Sequence, residues 1–162
     1  NLSFLKSIPN SIQYWMRQER NVLSMLRQLG KPTLFLTLSA RETQWPDLIK
    51  ILYKLKYDKE LDDSKDPLEL NSLLRCTLVN DDPVTYVLYF NKLIDVIMKV
   101  SKSSSGPFGK YKVLDFFKRI EFQLKGTPHA HILLWLDNDR KEIISENMPK
   151  TLKLIDELCK FK

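Results

Sequence analysis

The sequence has 162 residues and a hydrophobic content of 43%, which suits one globular domain with a buried core. It shows no apolar stretch of membrane-spanning length and no signal peptide, so we expect no membrane contact. The net charge of +6 favours a polyanionic partner, and the spacing of Cys76 and Cys159 suits neither a zinc site nor a disulfide framework. Free thiols are typical of a reducing compartment.

The first predicted element is an amphipathic helix. Pro9-Asn10-Ser11 is a start signal and Gly30-Lys31-Pro32 a stop signal. Between them, apolar residues recur at helical spacing, and we expect Trp15 and Met16 of this set to lie in the core.

Thr33–Ser39 predicts a strand, and its apolar character on both faces is typical of a central position. Trp45-Pro46-Asp47 then begins a second helix with proline near its first position. Tyr53 and Tyr57 share one face of that helix at a spacing of four residues, and we interpret them as packing residues on a surface helix.

A polar connector is predicted from about residue 58 to 82, with a short helix over Leu68–Leu74. Asp81-Asp82-Pro83 begins a long helix, which ends before a predicted loop at 101–109. The two carboxylates lie near the helix N-terminus, the positive end of the helix dipole. The predicted buried stripe of this helix is Val84, Val87, Leu88, Asn91, Ile94, Ile97 and Met98.

A hairpin over about 110–137 carries the only two histidines of the sequence, His129 and His131. The apolar run Ile132–Leu136 follows them and predicts a buried strand. Because residues i and i+2 of a strand point to the same face, both imidazoles leave the sheet side by side. The preceding strand alternates apolar residues with Glu121 and Gln123.

Two hairpin loops are compatible with this pattern. A three-residue loop, Lys125-Gly126-Thr127, places Gln123 opposite His129 and Glu121 opposite His131. A two-residue loop would place the histidines opposite apolar residues instead, so the polar pattern favours the longer loop.

Two imidazoles with a carboxylate or amide oxygen suit Mg²⁺ or Mn²⁺ with open coordination positions. The predicted metal ligands are therefore His129, His131, Glu121 and Gln123, with the third ligand left open between the last two. The alternative interpretation is a pair of polar residues on a solvated face that binds no metal.

Basic residues concentrate in two segments, before residue 32 and between 99 and 125, on either side of the acidic connector. These segments are either solvated faces or a groove that binds a nucleic-acid backbone. Lys118, Arg119 and Lys125 lie next to the predicted histidine site in the sequence, which favours the nucleic-acid interpretation. The predicted DNA-binding residues are Arg17, Arg20, Lys118, Arg119 and Lys125.

Two stretches resemble a known family. Glu121-Phe-Gln-Leu-Lys-Gly-Thr-Pro-His-Ala-His-Ile-Leu-Leu-Trp135 resembles the second motif of the HUH endonucleases, in the form found in Helitron rolling-circle transposases. Gly30-Lys-Pro-Thr-Leu-Phe-Leu-Thr-Leu-Ser39, followed by Trp45-Pro46, resembles the first motif of the same N-terminal domain. The resemblance covers the chain from about Tyr14 to Leu136.

The resemblance implies an α+β fold, in which helices flank an antiparallel ferredoxin-like or RRM-like sheet with the histidines on a central strand. The Thr33–Ser39 strand would lie beside the histidine strand, so that Thr37 and Ser39 line the site. The activity implied is metal-dependent nicking and strand transfer of single-stranded DNA through a covalent phosphotyrosine. A C-terminal superfamily-1 helicase in the same parent protein and a nuclear location are also implied.

The sequence departs from the family in one respect, because the family's tyrosine follows the histidine pair and the last tyrosine here is Tyr111. We expect that the nucleophile lies beyond Lys162, in the parent of a C-terminally truncated fragment spanning 1–162, or that it has been lost. Helical turns over Glu142–Asn147 and a final helix over Thr151–Leu158 are predicted before that point.

Two alternative functions remain, a non-catalytic nucleic-acid-binding module and a domesticated interaction module on the same fold. Against the first, the sequence predicts no aromatic stacking pair on the histidine face.

Overall fold

The computed structural model describes residues 2–8, 11–62, 64–103, 106–123 and 126–137. These residues form an α+β fold with a three-stranded antiparallel sheet, which confirms the predicted fold class. The main elements are α1 (Ile12–Leu29), β1 (Leu34–Ser39), α2 (Pro46–Tyr57), α3 (Ser72–Asp81), α4 (Pro83–Ser101), β2 (Val113–Phe122) and β3 (Pro128–Leu136). Short 3-10 helices cover Leu2–Ser7, Glu42–Gln44 and Pro67–Glu69.

The strand order is β1-β3-β2, so the histidine strand β3 is central and β1 lies beside it, as the resemblance implied. From Pro128 to Leu134 the side chains of β3 alternate between buried and partly exposed, because successive residues of a strand point to opposite faces, and Trp135 and Leu136 are both buried. The buried row comprises Pro128, Ala130, Ile132 and Leu134. On β1 the exposed row comprises Phe35, Thr37 and Ser39.

By its internal contacts the chain divides into two compact units. The first combines the chain up to Leu36 with Ser101–Arg119 and the described residues from His131 onward. Its largest buried side chain is Trp135, whose indole Nε1 donates a hydrogen bond of 2.9 Å to the carbonyl oxygen of Gly30. This bond satisfies the polar atom of an otherwise apolar ring, so the ring can be buried without loss of a hydrogen bond.

The second unit combines Thr37–Val100 with Ile120–Ala130. Its core includes the Trp45 ring, which stacks on Phe90 at a centroid distance of 6.2 Å. Tyr86 is buried against the same ring and its hydroxyl donates to a carboxylate oxygen of Glu42 at 3.3 Å. Burial, with the nearby Glu42 charge, raises the pKa of Tyr86 above its ordinary value.

Helix α1 begins and ends where the sequence predicted. The Ser11 hydroxyl accepts a hydrogen bond from the Tyr14 backbone N–H at 3.1 Å, and Gly30 ends the helix with a positive φ of 76°. The prediction that Trp15 and Met16 lie in the core was wrong, because none of the described residues of α1 is buried and Met16 is 47% exposed. The Trp15 ring packs edge-to-face on the Tyr14 ring, and the charged Arg119 guanidinium lies over it.

The predicted polar connector is more ordered than expected, because its second half forms α3. The Asn71 side chain accepts a hydrogen bond from the Leu73 N–H at 2.8 Å and caps α3 at Ser72, so the predicted helix over Leu68–Leu74 starts too early.

Helix α4 runs from Pro83 to Ser101, as predicted. Its buried row differs from the predicted stripe, because Val84 and Leu88 are exposed. The buried residues follow one line at a spacing of four, which includes the predicted Ile94 and Met98 and adds Tyr86 and Phe90.

No helix within the described ranges combines the length and the apolar character that a membrane span requires. The predicted helical segments over Glu142–Asn147 and Thr151–Leu158 lie outside the described residues.

Candidate functional site on the histidine strand

His129 and His131 occupy alternate positions of β3, and both are partly exposed between buried neighbours. The prediction that both imidazoles leave the same face of the strand is thereby confirmed. We call this side of β3, together with the exposed row of β1, the histidine face.

Within the second unit, the Ser39 hydroxyl oxygen lies 3.0 Å from Nδ1 of His129. The backbone pairing of the two strands supports this contact, because the Ala40 N–H donates to the Pro128 carbonyl oxygen at 3.4 Å. The contact uses one ring nitrogen of His129 and leaves Nε2 as the nitrogen for a ligand. A hydrogen bond to the second nitrogen is the usual way in which proteins orient a metal-binding imidazole.

Within the first unit, the imidazole of His131 stacks on the ring of Phe35. The ring centroids are 5.7 Å apart and the ring planes differ by 5°. Phe35 is 64% exposed even with this contact, so much of its ring faces solvent. The sequence predicted no aromatic stacking pair on the histidine face, and the structure places one exposed aromatic ring there, that of Phe35.

The hairpin loop has the predicted length but a different register. The Gly126 N–H donates to the Gln123 carbonyl oxygen at 2.7 Å, and the Gln123 N–H donates to the Thr127 carbonyl oxygen at 3.1 Å. Gln123 is therefore paired with Thr127, so the prediction that Thr127 belongs to the loop Lys125-Gly126-Thr127 was wrong. The cause is Gly126, whose φ of 76° suits the third position of such a loop.

The corrected register changes which polar side chain faces which histidine. Continued along the two strands, the Gln123–Thr127 pair places Glu121 opposite His129. The predicted pairing of Gln123 with His129 was wrong, since Gln123 lies at the mouth of the hairpin. Glu121 is thus the nearer oxygen donor to His129 along the ladder.

The side chains of the histidine face and of β2 provide part of a ligand set for a divalent ion. The histidine face supplies two imidazoles on one strand, and β2 supplies a carboxylate opposite one of them. Within the described ranges, no group of three or more His, Cys, Asp or Glu side chains has metal-binding geometry, so the Glu121 side chain would have to turn to join the imidazoles. The assignment of His129, His131, Glu121 and Gln123 as metal ligands stays a prediction.

The predicted DNA-binding residues are distributed over α1 and β2. Arg17 and Arg20 are exposed on α1, and the exposed Arg119 lies over the Trp15 ring with its guanidinium carbon 4.6 Å from the ring centroid. Lys118 is partly exposed, whereas Lys125 lies outside the described residues.

An open groove of about 600 Å³ in the first unit has Arg119 in its lining, together with Trp15, Val22 and Phe117. Its lining also includes Glu19, so the groove combines apolar side chains with both an arginine and a carboxylate.

Tyr53 and Tyr57 lie one turn apart on α2, with ring centroids 4.8 Å apart. The two rings pack on each other, as predicted for residues of a surface helix. The contact of Ser39 with His129 and the exposure of Phe35 were not predicted. The alternation of β1 nevertheless placed both residues on one face, so the signal for them was present in the sequence.

One protein-family model matches the chain. It is described as the Helitron helicase-like domain at the N-terminus, and the match covers residues 2–134. No curated protein and no solved structure matches the chain.

Proposed function

The chain belongs to the family of Helitron helicase-like N-terminal domains, and on that premise we propose that it binds single-stranded DNA and a divalent metal for nicking and strand transfer. The observation that carries this proposal is the pair of histidines on the open face of the central strand, one of them hydrogen-bonded to Ser39. An oriented, partly exposed imidazole pair is the core of a metal site with open coordination positions.

In this proposal His129 and His131 hold Mg²⁺ or Mn²⁺, and an oxygen of Glu121 or Gln123 completes the protein ligands. The ion supplies Lewis-acid polarisation of the scissile phosphate and stabilises the negative charge that develops on it. Arg119 on β2 and the exposed Arg17 and Arg20 on α1 bind phosphates of the strand.

The covalent step requires a tyrosine hydroxyl that attacks the phosphorus while the bond to the 3′ oxygen breaks and a free 3′-hydroxyl leaves. Because the last tyrosine of this sequence, Tyr111, precedes the histidines, we assign the chain the binding and positioning part of the reaction. The nucleophile and a superfamily-1 helicase would follow in a parent protein that acts on DNA in the nucleus.

Isothermal calorimetry with Mn²⁺ tests the proposal. We expect the wild-type protein to bind one Mn²⁺ and the His129→Ala, His131→Ala double variant to lose binding, because both imidazoles are removed. The corrected register predicts that Glu121→Ala weakens binding more than Gln123→Ala does. Glu69→Ala serves as a control because it removes an exposed carboxylate from the short Pro67–Glu69 helix, which is outside the two strands of the histidine hairpin.

Equal Mn²⁺ binding by the wild type and the double variant, or none by either, would contradict the metal proposal. The second candidate function is then a metal-independent nucleic-acid-binding module, which the exposed Phe35 ring on the histidine face favours. Single-stranded DNA binding that is unaffected by chelators would support this second function.

A further inference from the structure

We propose that Phe35 is a stacking platform for a base of single-stranded DNA, placed beside His131. The inference rests on the proposed function, since it names the side chain that holds the DNA strand at that site. It also assigns a role to a residue that neither metal binding nor phosphate binding uses.

The first observation is that Phe35 is exposed on a face that is otherwise polar. The residue is 64% exposed, and the residues that follow it on the same face of β1 are Thr37 and Ser39. A single ring among hydroxyl groups is too small an apolar area for a stable protein interface, which needs a patch of many residues. It does match the flat face of one base, which stacks on aromatic side chains.

The second observation is that the ring is held in a fixed orientation. Its plane is within 5° of the His131 imidazole plane at a centroid distance of 5.7 Å, an offset parallel arrangement. A freely rotating ring loses rotational entropy when a ligand binds to it. Because the Phe35 ring already stacks on His131, this loss is smaller, which favours stacking of a base. A base on Phe35 would therefore lie next to an imidazole of the proposed metal site.

The third observation is that positive charge lies in the same unit as Phe35. Arg119 is exposed on β2, and its guanidinium lies over the Trp15 ring, which fixes the position of the charge. The sequence as a whole carries a net charge of +6. A surface that binds single-stranded DNA combines aromatic rings, which stack on bases, with basic side chains, which bind the phosphate backbone. The net positive charge favours a polyanion over an apolar partner.

Fluorescence anisotropy with a labelled thymidine oligonucleotide of about 12 nucleotides tests the inference. We expect Phe35→Ala to weaken binding about 5- to 100-fold, which corresponds to the loss of one stacked base. Phe35→Trp should retain wild-type affinity, whereas Phe35→Leu should behave like alanine because it keeps apolar volume and lacks a π face.

Phe122→Ala is the matched control. Phe122 is 55% exposed at the end of β2 and alternates with Glu121, so its ring lies off the histidine face. We expect unchanged affinity in this variant. An oligonucleotide in which abasic sites replace the bases should bind the wild type and Phe35→Ala equally.

Three results would overturn the inference. They are equal affinity of the wild type and Phe35→Ala for the thymidine oligonucleotide, wild-type affinity in Phe35→Leu, and Phe35-dependent binding of a uridine oligoribonucleotide with no binding of the DNA. Mn²⁺ calorimetry on the same variants separates this inference from the proposed function. DNA affinity that does not depend on Phe35, with retained Mn²⁺ binding, removes the inference alone, and Phe35-dependent DNA binding without any Mn²⁺ binding removes the metal proposal alone.

Discussion

The Ser39 hydroxyl lies 3.0 Å from Nδ1 of His129 and is the contact by which β1 orients a proposed metal ligand. We predict that Ser39→Ala lowers Mn²⁺ affinity about 10- to 100-fold, because the imidazole loses the partner that fixes its tautomer and rotation. Ser39→Thr keeps the hydroxyl on a β-branched residue that suits a strand, and it should bind Mn²⁺ nearly as well as the wild type. Calorimetry measures both, and unchanged affinity in the alanine variant would show that Ser39 does not orient the ligand.

At this scale the sequence predicted geometry within one strand and missed geometry between strands. The shared face of His129 and His131 follows from the two-residue period of a strand, which needs no tertiary information. The contact between Ser39 and His129 joins residues ninety positions apart. It depends on strand register, which local sequence does not specify.

Among the elements, the hairpin shows how one glycine decides register. The polar alternation of Glu121 and Gln123 correctly favoured a three-residue loop, but it could not say where the loop starts. Gly126 takes a φ of 76°, a value that most residues avoid, and so occupies the third loop position. The choice between Glu121 and Gln123 as the partner of His129 therefore rests on backbone conformation.

Helix α4 offers a prediction about pH. Asp82 accepts hydrogen bonds from the Thr85 hydroxyl at 2.6 Å and the Thr85 N–H at 2.9 Å, and these bonds lower the pKa of the Asp82 carboxyl. Because the folded pKa lies below the unfolded value, the carboxylate stabilises the fold above about pH 4, and this stabilisation is lost as the pH falls through the folded pKa.

We predict that Asp82→Ala lowers the free energy of unfolding by about 0.5–2 kcal/mol at neutral pH, because the first turn of α4 loses its cap. The difference between wild type and variant should shrink below about pH 4. Urea unfolding followed by circular dichroism at several pH values measures it. A difference that stays constant with pH would show that the ionised carboxylate is not the source of the stability.

The helices also show where sequence prediction of packing stops. The caps of α1 and the start of α4 were predicted because each depends on two or three neighbouring residues, such as Ser11 and Pro83. Burial was predicted less well. Met16 and Leu88 fit an apolar stripe and are exposed, because a stripe becomes buried only where a partner element covers it.

For the whole molecule, the proposed function predicts that the chain binds single-stranded DNA but does not cleave it. We expect the 162-residue chain to bind single-stranded DNA and to produce neither a nicked strand nor a covalent protein–DNA product with Mn²⁺, because no tyrosine follows His131 in its sequence. Denaturing gel electrophoresis of labelled DNA measures both products. A metal-dependent product that disappears in Tyr53→Phe or Tyr57→Phe would contradict this prediction and make the α2 tyrosines nucleophiles.

At this scale the α+β class could be anticipated from the order of helices and strands, and the central position of the histidine strand from the family resemblance. The strand register that places Glu121 opposite His129 could not be predicted, and neither could the stacking of Phe35 on His131. Both depend on how separate segments of the chain align. The family resemblance supplied the chemistry, and the structure supplied the residues with which to test it.

The central claim is that His129 and His131 jointly bind a divalent metal ion. The sequence has only these two histidines, so the imidazole proton NMR spectrum contains one set of signals from each, assignable with single variants. Substoichiometric Mn²⁺, a paramagnetic ion, should broaden both sets together, and excess Mg²⁺ should reverse the broadening. Sharp signals from both histidines, or broadening of one alone, would contradict the claim that the pair forms one metal site.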